Sequence, residues 1–168
     1  MKATTLLQRQ HRKVETMFKK LEKGGAGARD LLDELANNLA AHMAIEQEIF
    51  YPAVQKIDAK LVLEALEEHS LGEIALNRLK ATDPKSPSWK ARVIAAREVI
   101  QHHVDEEEEE LFPKVEKKLG EEKLLALGLQ MKERFDEVVQ EGFDAVVPEG
   151  CEVTSADNAV ESISAPAA

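Results

Sequence analysis

Two stretches decide the fold, HMAIEQEIFYP at residues 42–52 and HVDEEEEELFP at residues 103–113. Each begins with a histidine, has a glutamate four residues later and reaches a proline ten residues after the histidine. On a helix, residues four apart lie one above the other on the same face, so each stretch can present an imidazole and a carboxylate to one point. The sequence therefore predicts two related helical hairpins, each carrying half of a metal site.

Every histidine of the chain has a glutamate at this spacing. The five pairs are His11/Glu15, His42/Glu46, His69/Glu73, His102/Glu106 and His103/Glu107. The alignment of the two stretches selects the pair His103/Glu107, and not the adjacent one, as the equivalent of His42/Glu46. We expect His102 at the surface or behind the metal ligands. Glu106 and residues 108–110 are expected to form mostly a solvated face that attracts cations.

Apolar residues recur at helical period between a glycine-rich break at residues 24–27 and a proline-containing loop at residues 81–88. They predict an all-α fold in which four helices form an up-down-up-down bundle and a fifth, C-terminal helix has a packing or interface role. The predicted helices run over residues 4–23, 28–51, 58–80, 88–119 and 121–147, with Ser88 as an N-cap. Residues 1–147 are predicted to form one helical domain and residues 148–168 a disordered tail.

Composition narrows the classes of function. The formal net charge of −10 disfavours nucleic acid and anionic membranes as partners. The single cysteine, Cys151, cannot form an internal disulfide and fits a reducing compartment. Because no apolar run is long enough for a membrane span and the N-terminus lacks an apolar signal stretch, we expect a cytoplasmic location.

The inward-facing pairs predict metal binding, because imidazole nitrogens and carboxylate oxygens suit iron, manganese or zinc. The predicted terminal nitrogen ligands are His11, His42, His69 and His103. Glu46 and Glu107 are the predicted bridging carboxylates, and Glu15 and Glu73 are possible terminal oxygen ligands. Glu15 could instead orient His11 or face solvent, and such pairs can also be ordinary surface ion pairs. Tyr51 is expected to pack in the core, with hydrogen bonding behind the ligands or direct ligation as alternatives.

These residues resemble the hemerythrin-like, or HHE cation-binding, domains. The likeness covers roughly residues 4–119 and rests on the two quoted stretches together with HRKVE at residues 11–15 and EHSLGE at residues 68–73. It implies a four-helix bundle around a non-haem di-iron centre, with two iron ions bridged by oxo and carboxylate groups. Members of the family bind or sense oxygen, sense or store iron, or act on peroxide and nitric oxide. In this chain Glu73 stands where the oxygen-carrying members have a second histidine, and Glu107 replaces their aspartate at a different spacing.

Three hypotheses for the function follow. The first is a di-iron site that disproportionates hydrogen peroxide, or otherwise defends against oxidative and nitrosative stress. An anionic ligand set favours it, because such ligands stabilise ferric iron and disfavour reversible oxygen carriage. The second is a module that binds or senses O₂, NO or iron without turnover, and the third is a metal-free helical interaction protein. The sequence leaves the physiological substrate and the oligomeric state open.

Overall fold

The computed structural model describes residues 1–146, and within this range every regular element is a helix. The helices are α1 (Ala3–Leu21), α2 (Ala28–Ile45), α3 (Tyr51–Val54), α4 (Ala59–Lys80), α5 (Trp89–Glu106), α6 (Phe112–Leu119), α7 (Glu121–Glu141) and α8 (Phe143–Val146). Two π-helical segments, Glu46–Phe50 and Glu107–Leu111, join α2 to α3 and α5 to α6 without a break. The predicted tail lies outside the described residues.

Four long helices form the predicted bundle. Helix α1 packs beside α2 and α5, and α4 packs beside the same two helices, so the four make a closed ring. Helix α7 lies across α1 and α2 on the outside, and α8 packs on α2. The predicted all-α bundle with an additional C-terminal helix is confirmed. None of the helices in the described range combines the length and apolarity that a membrane crossing requires.

Two large clusters make up most of the apolar interior, and a small third one, Ala41, Ala44 and Val138, lies between α2 and α7. One large cluster lies towards the turn between α1 and α2 and includes Phe18, Leu32 and Val93. The other large cluster lies towards the opposite end and includes Leu7, Phe50 and Phe112. In α1, Leu7 belongs to one cluster and Val14 to the other. The level of the bundle between them, where the histidines lie, is therefore enclosed by apolar side chains on both sides.

The two π-helical segments have a common cause in the sequence. The proline that ends each quoted stretch lacks an N–H group, and in an α-helix its ring would meet the carbonyl four residues back. A wider turn relieves this contact, with Tyr51 N–H donating to the Glu46 carbonyl and Phe112 N–H donating to the Glu107 carbonyl. As a result, the fifth residue after each glutamate lies over it.

Some helix boundaries differ from those predicted. The second helical stretch continues past Tyr51 to Val54. The C-terminal helix ends at Glu141, because Gly142 adopts a φ of 85° that interrupts it before α8. Ser88 occupies the predicted N-cap position before Trp89, but its side chain makes no capping bond, and its hydroxyl instead pairs with that of Ser86 at 2.9 Å.

Helix α7 approaches the N-terminal segment at a glycine. A Cβ atom placed on Gly128 would lie 2.2 Å from the Met1 carbonyl oxygen and 2.9 Å from the Ala3 nitrogen. Because these are backbone atoms, they could give way only if the segment itself moved. Leu124 and Met131, on the same helix, are buried in the adjacent apolar cluster. The missing side chain of Gly128 therefore allows α7 to cover the end of the bundle.

Candidate metal centre

Four buried histidines, one from each helix of the bundle, meet between the two apolar clusters. Nε2 of His11 lies 3.1 Å from Nε2 of His42, and Nε2 of His69 lies 3.2 Å from Nε2 of His103. Two neutral imidazoles that both turn an Nε2 lone pair to the same point repel one another. A cation placed between the lone pairs removes this repulsion, so the arrangement suits metal binding.

Two glutamates lie between the histidine pairs. The fully buried Glu46 places Oε2 at 3.2 Å from Nε2 of His42 and 3.3 Å from Nε2 of His69. Glu107 places Oε2 at 3.6 and 3.8 Å from the Nε2 atoms of the other two histidines. Each carboxylate therefore reaches one histidine of each pair, which is the position that a bridging ligand requires.

Three of the carboxylate oxygens have no hydrogen-bond partner. They are Oε1 and Oε2 of Glu46 and Oε2 of Glu107, all of them buried. Leaving a carboxylate buried and unpaired costs several kcal/mol. The donor atoms fall into two groups, each with all its atoms within 4.8 Å of one another, and Glu46 belongs to both. The groups are His11, His42, Glu46 and Glu107, and Glu46, His69 and His103. The unpartnered oxygens and the donor types together fit metal cations held by these groups.

Tyr51 is a further polar group at the centre. Its hydroxyl donates to Oε1 of Glu107 at 3.0 Å and lies 3.2 Å from Nε2 of His69. The π-helical segment explains this position, because nine residues of uninterrupted α-helix after His42 make two and a half turns and would direct the side chain away from the centre. Packing alone therefore does not describe Tyr51, and the alternative of hydrogen bonding at the site is the one that the contacts support.

The outer nitrogen, Nδ1, of each histidine also has a partner. In chain order of the histidines, the partners are Glu108, Gln10, Gln47 and Glu68, at 2.7, 2.9, 3.0 and 3.0 Å. An acceptor at Nδ1 holds the proton there and leaves the Nε2 lone pair free for a metal ion. Gln47 faces the imidazole of His69 with its amide nitrogen, a donor, and turning the amide over would present the oxygen as an acceptor like the other three. The histidines are thus oriented from outside as well as from within.

The outer partners are arranged with the approximate twofold symmetry that relates the two helical hairpins. Gln10 and Glu68, which precede the first histidine of each hairpin, serve the second histidine of the same hairpin. Gln47 and Glu108, which follow the two central glutamates, serve the first histidine of the other hairpin. Sequence analysis missed these four roles. For Glu108 the expectation of a solvated face is wrong, because its side chain is only 16% exposed and pairs with both His11 and Arg12.

Burial sets the protonation of the centre. It lowers the pKa of His42 and His69 well below the ordinary value, and it also lowers the pKa of His11. Burial lowers the pKa of His103 as well, but Glu107 and Glu68 more than offset this effect and raise it overall. Three of the four imidazoles are therefore held in the neutral form that binds metals.

The pKa values of the two buried carboxyls, Glu46 and Glu107, shift in the opposite direction. Burial raises the pKa of Glu46 to about 8. Burial, reinforced by the charge of Glu46, raises the pKa of Glu107 well above its ordinary value. Without a cation, these carboxyls hold protons that a metal ion would displace.

Glu15 and Glu73 are not brought into the centre. Glu15 is 31% exposed and pairs with Lys19 at 2.7 Å, as one of the alternatives for it anticipates. Glu73 is half-buried and belongs to neither donor group. In both helices the inward position after the histidine is three residues on, at Val14 and Gly72, so the residue four on lies at the edge of the core face.

An enclosed cavity of about 10 Å³ adjoins the histidines, and a volume of this size holds roughly one water molecule. Its apolar wall is formed by Val14, Leu39, Met43, Ile100 and Val104. The centre thus has space for roughly one water molecule on its apolar side.

Comparison with known proteins decides the family. The sequence matches the hemerythrin HHE cation binding domain over residues 2–115. The chain belongs to this family. The expected resemblance is thereby confirmed, and cation binding by the His/Glu cluster is what the family supports.

The individual relatives of this HHE domain have low sequence identity to it. It is 26% identical over 116 residues to an uncharacterized protein of Mycobacterium tuberculosis, covering 67% of this chain and 71% of that protein. It is 27% identical over 120 residues to a protein of Nostoc sp. named DNA nickase, covering 70% of this chain but 34% of that protein. The chain thus spans about a third of the Nostoc relative. The crystal structure of a hemerythrin HHE cation binding domain-containing protein from Mycobacterium kansasii superposes with a TM-score of 0.76 at 26% identity, covering 84% of this chain and 89% of that one.

Proposed function

We propose that this protein is a non-haem di-iron protein that disproportionates hydrogen peroxide. The observation that carries the proposal is the position of Glu46, whose two oxygens are buried without partners between two pairs of imidazoles. One ion would be held by His11, His42, Glu46 and Glu107, and a second by Glu46, His69 and His103, in line with the two donor groups. When bound, two iron ions would supply the changes of oxidation state through which two electrons pass from one peroxide to the other.

The donor set supports peroxide chemistry over reversible oxygen carriage. Two buried carboxylates add anionic donors to the four imidazoles, and anionic donors stabilise the ferric state. The cavity beside the histidines has an apolar wall and room for roughly one water molecule, which favours a substrate as small as peroxide over larger ones. In the reaction, one peroxide loses two electrons and two protons and leaves as dioxygen, while a second peroxide accepts them and leaves as two waters.

The chain's own residues handle the protons. The Tyr51 hydroxyl holds a proton between Glu107 and His69, and burial raises its pKa well above the ordinary value, so the phenol stays protonated when no cation is bound. From His11 a hydrogen bond leads to Glu108, which is partly exposed and pairs with Arg12 at the surface. This contact gives protons a route between the centre and solvent.

The test is to purify the protein anaerobically, count its metal ions and record its optical spectrum before and after adding air and then peroxide. We expect about two irons per chain, in keeping with two donor groups, and oxygen evolution that continues over many turnovers. His42→Ala should abolish both. Glu15→Gln and Glu73→Gln are matched controls, because each changes a glutamate four residues after a histidine of the centre, and both should retain bound iron.

A second result would favour the alternative of a binding or sensing module. Two bound irons with no turnover above that of free iron, together with a reversible spectral change on adding O₂ or NO, would replace the enzymatic proposal. A stable protein without stoichiometric metal, unaffected by His42→Ala, would remove both and leave a helical interaction protein.

A further inference from the structure

A second cluster of metal-ligating side chains lies outside the centre. Glu68 of α4 faces His102 and Glu106 of α5, and one donor atom of each lies within 4.8 Å of the others. Nε2 of His102 is 3.3 Å from Oε1 of Glu68 and 3.6 Å from Oε1 of Glu106. The His102 side chain is 67% exposed, so the cluster opens to solvent. Two carboxylates and an imidazole from two helices make a set that suits Fe²⁺, Mn²⁺ or Zn²⁺.

Glu68 connects this outer cluster to the centre. Its Oε2 lies 3.0 Å from Nδ1 of His103, while its Oε1 faces His102. The same side chain is 15% exposed and lines the enclosed cavity beside the four histidines. One carboxylate therefore touches the outer cluster, a histidine of the centre and the space next to that histidine.

We propose that Glu68, His102 and Glu106 form a capture site for a divalent cation, from which metal ions pass to the buried centre. The role in delivery rests on the proposed function, because it requires that the centre hold metal. Three protein ligands leave coordination positions for water, so an ion bound here exchanges more readily than one in the centre. The acidic run from Asp105 to Glu110 raises the local concentration of cations around the site.

Cation capture is tested on the full chain after removal of metal by a chelator. A titration with Zn²⁺ monitored by calorimetry should show two tightly bound ions and one more weakly bound ion in the wild-type protein. His102→Ala and Glu106→Gln should each lose the weaker ion and keep the two tight ones. Glu109→Gln is the matched control, because it removes the same charge from the same acidic run at an exposed residue outside the cluster.

Delivery is tested by the rate of Fe²⁺ uptake, followed optically under anaerobic conditions. In His102→Ala and Glu106→Gln we expect uptake about tenfold slower, the lower end of the change in metal affinity when a supporting side chain is lost, with the final two ions and their spectrum unchanged. Glu109→Gln should load at the wild-type rate. Equal ion counts and equal rates in His102→Ala and the wild type would overturn the proposal, and so would equal slowing by Glu109→Gln.

The two proposals fail in different ways. Absence of the tight ions from the wild-type protein would overturn the proposed function, while the ion that depends on His102 could still be counted and would support the outer site. Two tight ions with no ion dependent on His102 would overturn the capture site alone.

Discussion

Replacing Glu46 by glutamine should make the metal-free protein more stable and the metal-loaded protein less so. The substitution keeps the size of the side chain and removes its charge. In the metal-free protein the Glu46 carboxyl is fully buried, and neither oxygen has a hydrogen-bond partner. A neutral amide can donate to Nε2 of His42, which lies within 3.2 Å of the present Oε2. The carboxylate is needed only when a cation is bound.

The size of the expected gain in stability follows from the pKa of Glu46. Burial raises the pKa of Glu46 from its ordinary value of 4.5 to about 8, so between these values the folded state holds a proton that the unfolded state has lost. The contribution of the protonated Glu46 carboxyl to the free energy of unfolding is fully present below pH 4.5 and is lost as pH rises through the folded pKa. At pH 7 the loss is roughly 3 kcal/mol, taking about 1.4 kcal/mol for each pH unit above the ordinary pKa. Glutamine does not titrate and escapes this loss.

The assay is urea unfolding at pH 5, 7 and 8.5, with a chelator and again with Zn²⁺ or Fe²⁺. With the chelator at pH 7, Glu46→Gln should gain about 2–3 kcal/mol, or roughly 5–10 °C in Tm for a domain of this size. With metal, the variant should be the less stable of the two, because it loses the donor that both groups share, and its affinity should fall by at least about a hundredfold. Glu15→Gln is the control, since the same substitution at this partly exposed residue should change neither measurement.

The pH series tests the reasoning most directly. The advantage of Glu46→Gln in the chelator should shrink towards pH 5, because the unfolded carboxyl begins to take up the proton that the folded carboxyl already holds. A metal-free variant that is less stable than the wild type at pH 7, with its ion count unchanged, would refute the placement of Glu46 as a buried donor shared by two ions.

Three further predictions concern other residues. Tyr51→Phe should keep both ions but lower peroxide turnover at least about tenfold, because the hydroxyl no longer holds a proton at the centre; oxygen evolution and metal analysis on one sample check this. Burial lowers the pKa of His42 and His69, so the folded metal-free protein binds fewer protons than the unfolded chain below pH 6.5. The stability from these groups should be complete above pH 6.5 and fall on acidification. Urea unfolding of the wild type and of His42→Gln in a chelator from pH 7.5 to 5 would show this as a difference, because the opposite trend of the two carboxyls is common to both proteins. Gly128→Ala should cost about 1–3 kcal/mol because the new methyl group meets backbone, whereas Leu129→Ala on the exposed face should change urea unfolding little.

The sequence was sufficient for the bundle and for the convergence of the histidines. Both follow from helical period and short connections, which leave few ways to bury four apolar stripes. The same period also carries information on the glutamates. His42 is preceded on the core face by Leu39 and Leu35, three and seven residues back, which places the residue four after it in the middle of that face. For His11 the core face continues through Val14, which leaves Glu15 at its edge. Comparing the apolar positions before and after each histidine would therefore have separated the pair His42/Glu46, which enters the centre, from the pair His11/Glu15, whose glutamate does not.

The outer partners of the histidines could not be predicted from the sequence. Gln47 and Glu108 act on histidines of the other hairpin, so their roles depend on how the hairpins pack and not on spacing within one helix. Glu108 also sits in a run of five glutamates, where composition suggests nothing but solvent exposure. Its neighbour Glu109 is exposed, as expected, and only the packing distinguishes the two.

The π-helical segments make the number of residues in each quoted stretch as important as their identity. Each segment contains one residue more than the same stretch of α-helix would need, and the helix beyond it is turned accordingly. Deleting a single residue between Glu46 and Tyr51 would let an ordinary α-helix place Tyr51 four residues after Glu46 and still over it, whereas inserting a residue there would turn Tyr51 and Val54 out of the interior. Substitutions there change one contact at a time, whereas an insertion would displace the phenol and the apolar end of the bundle together.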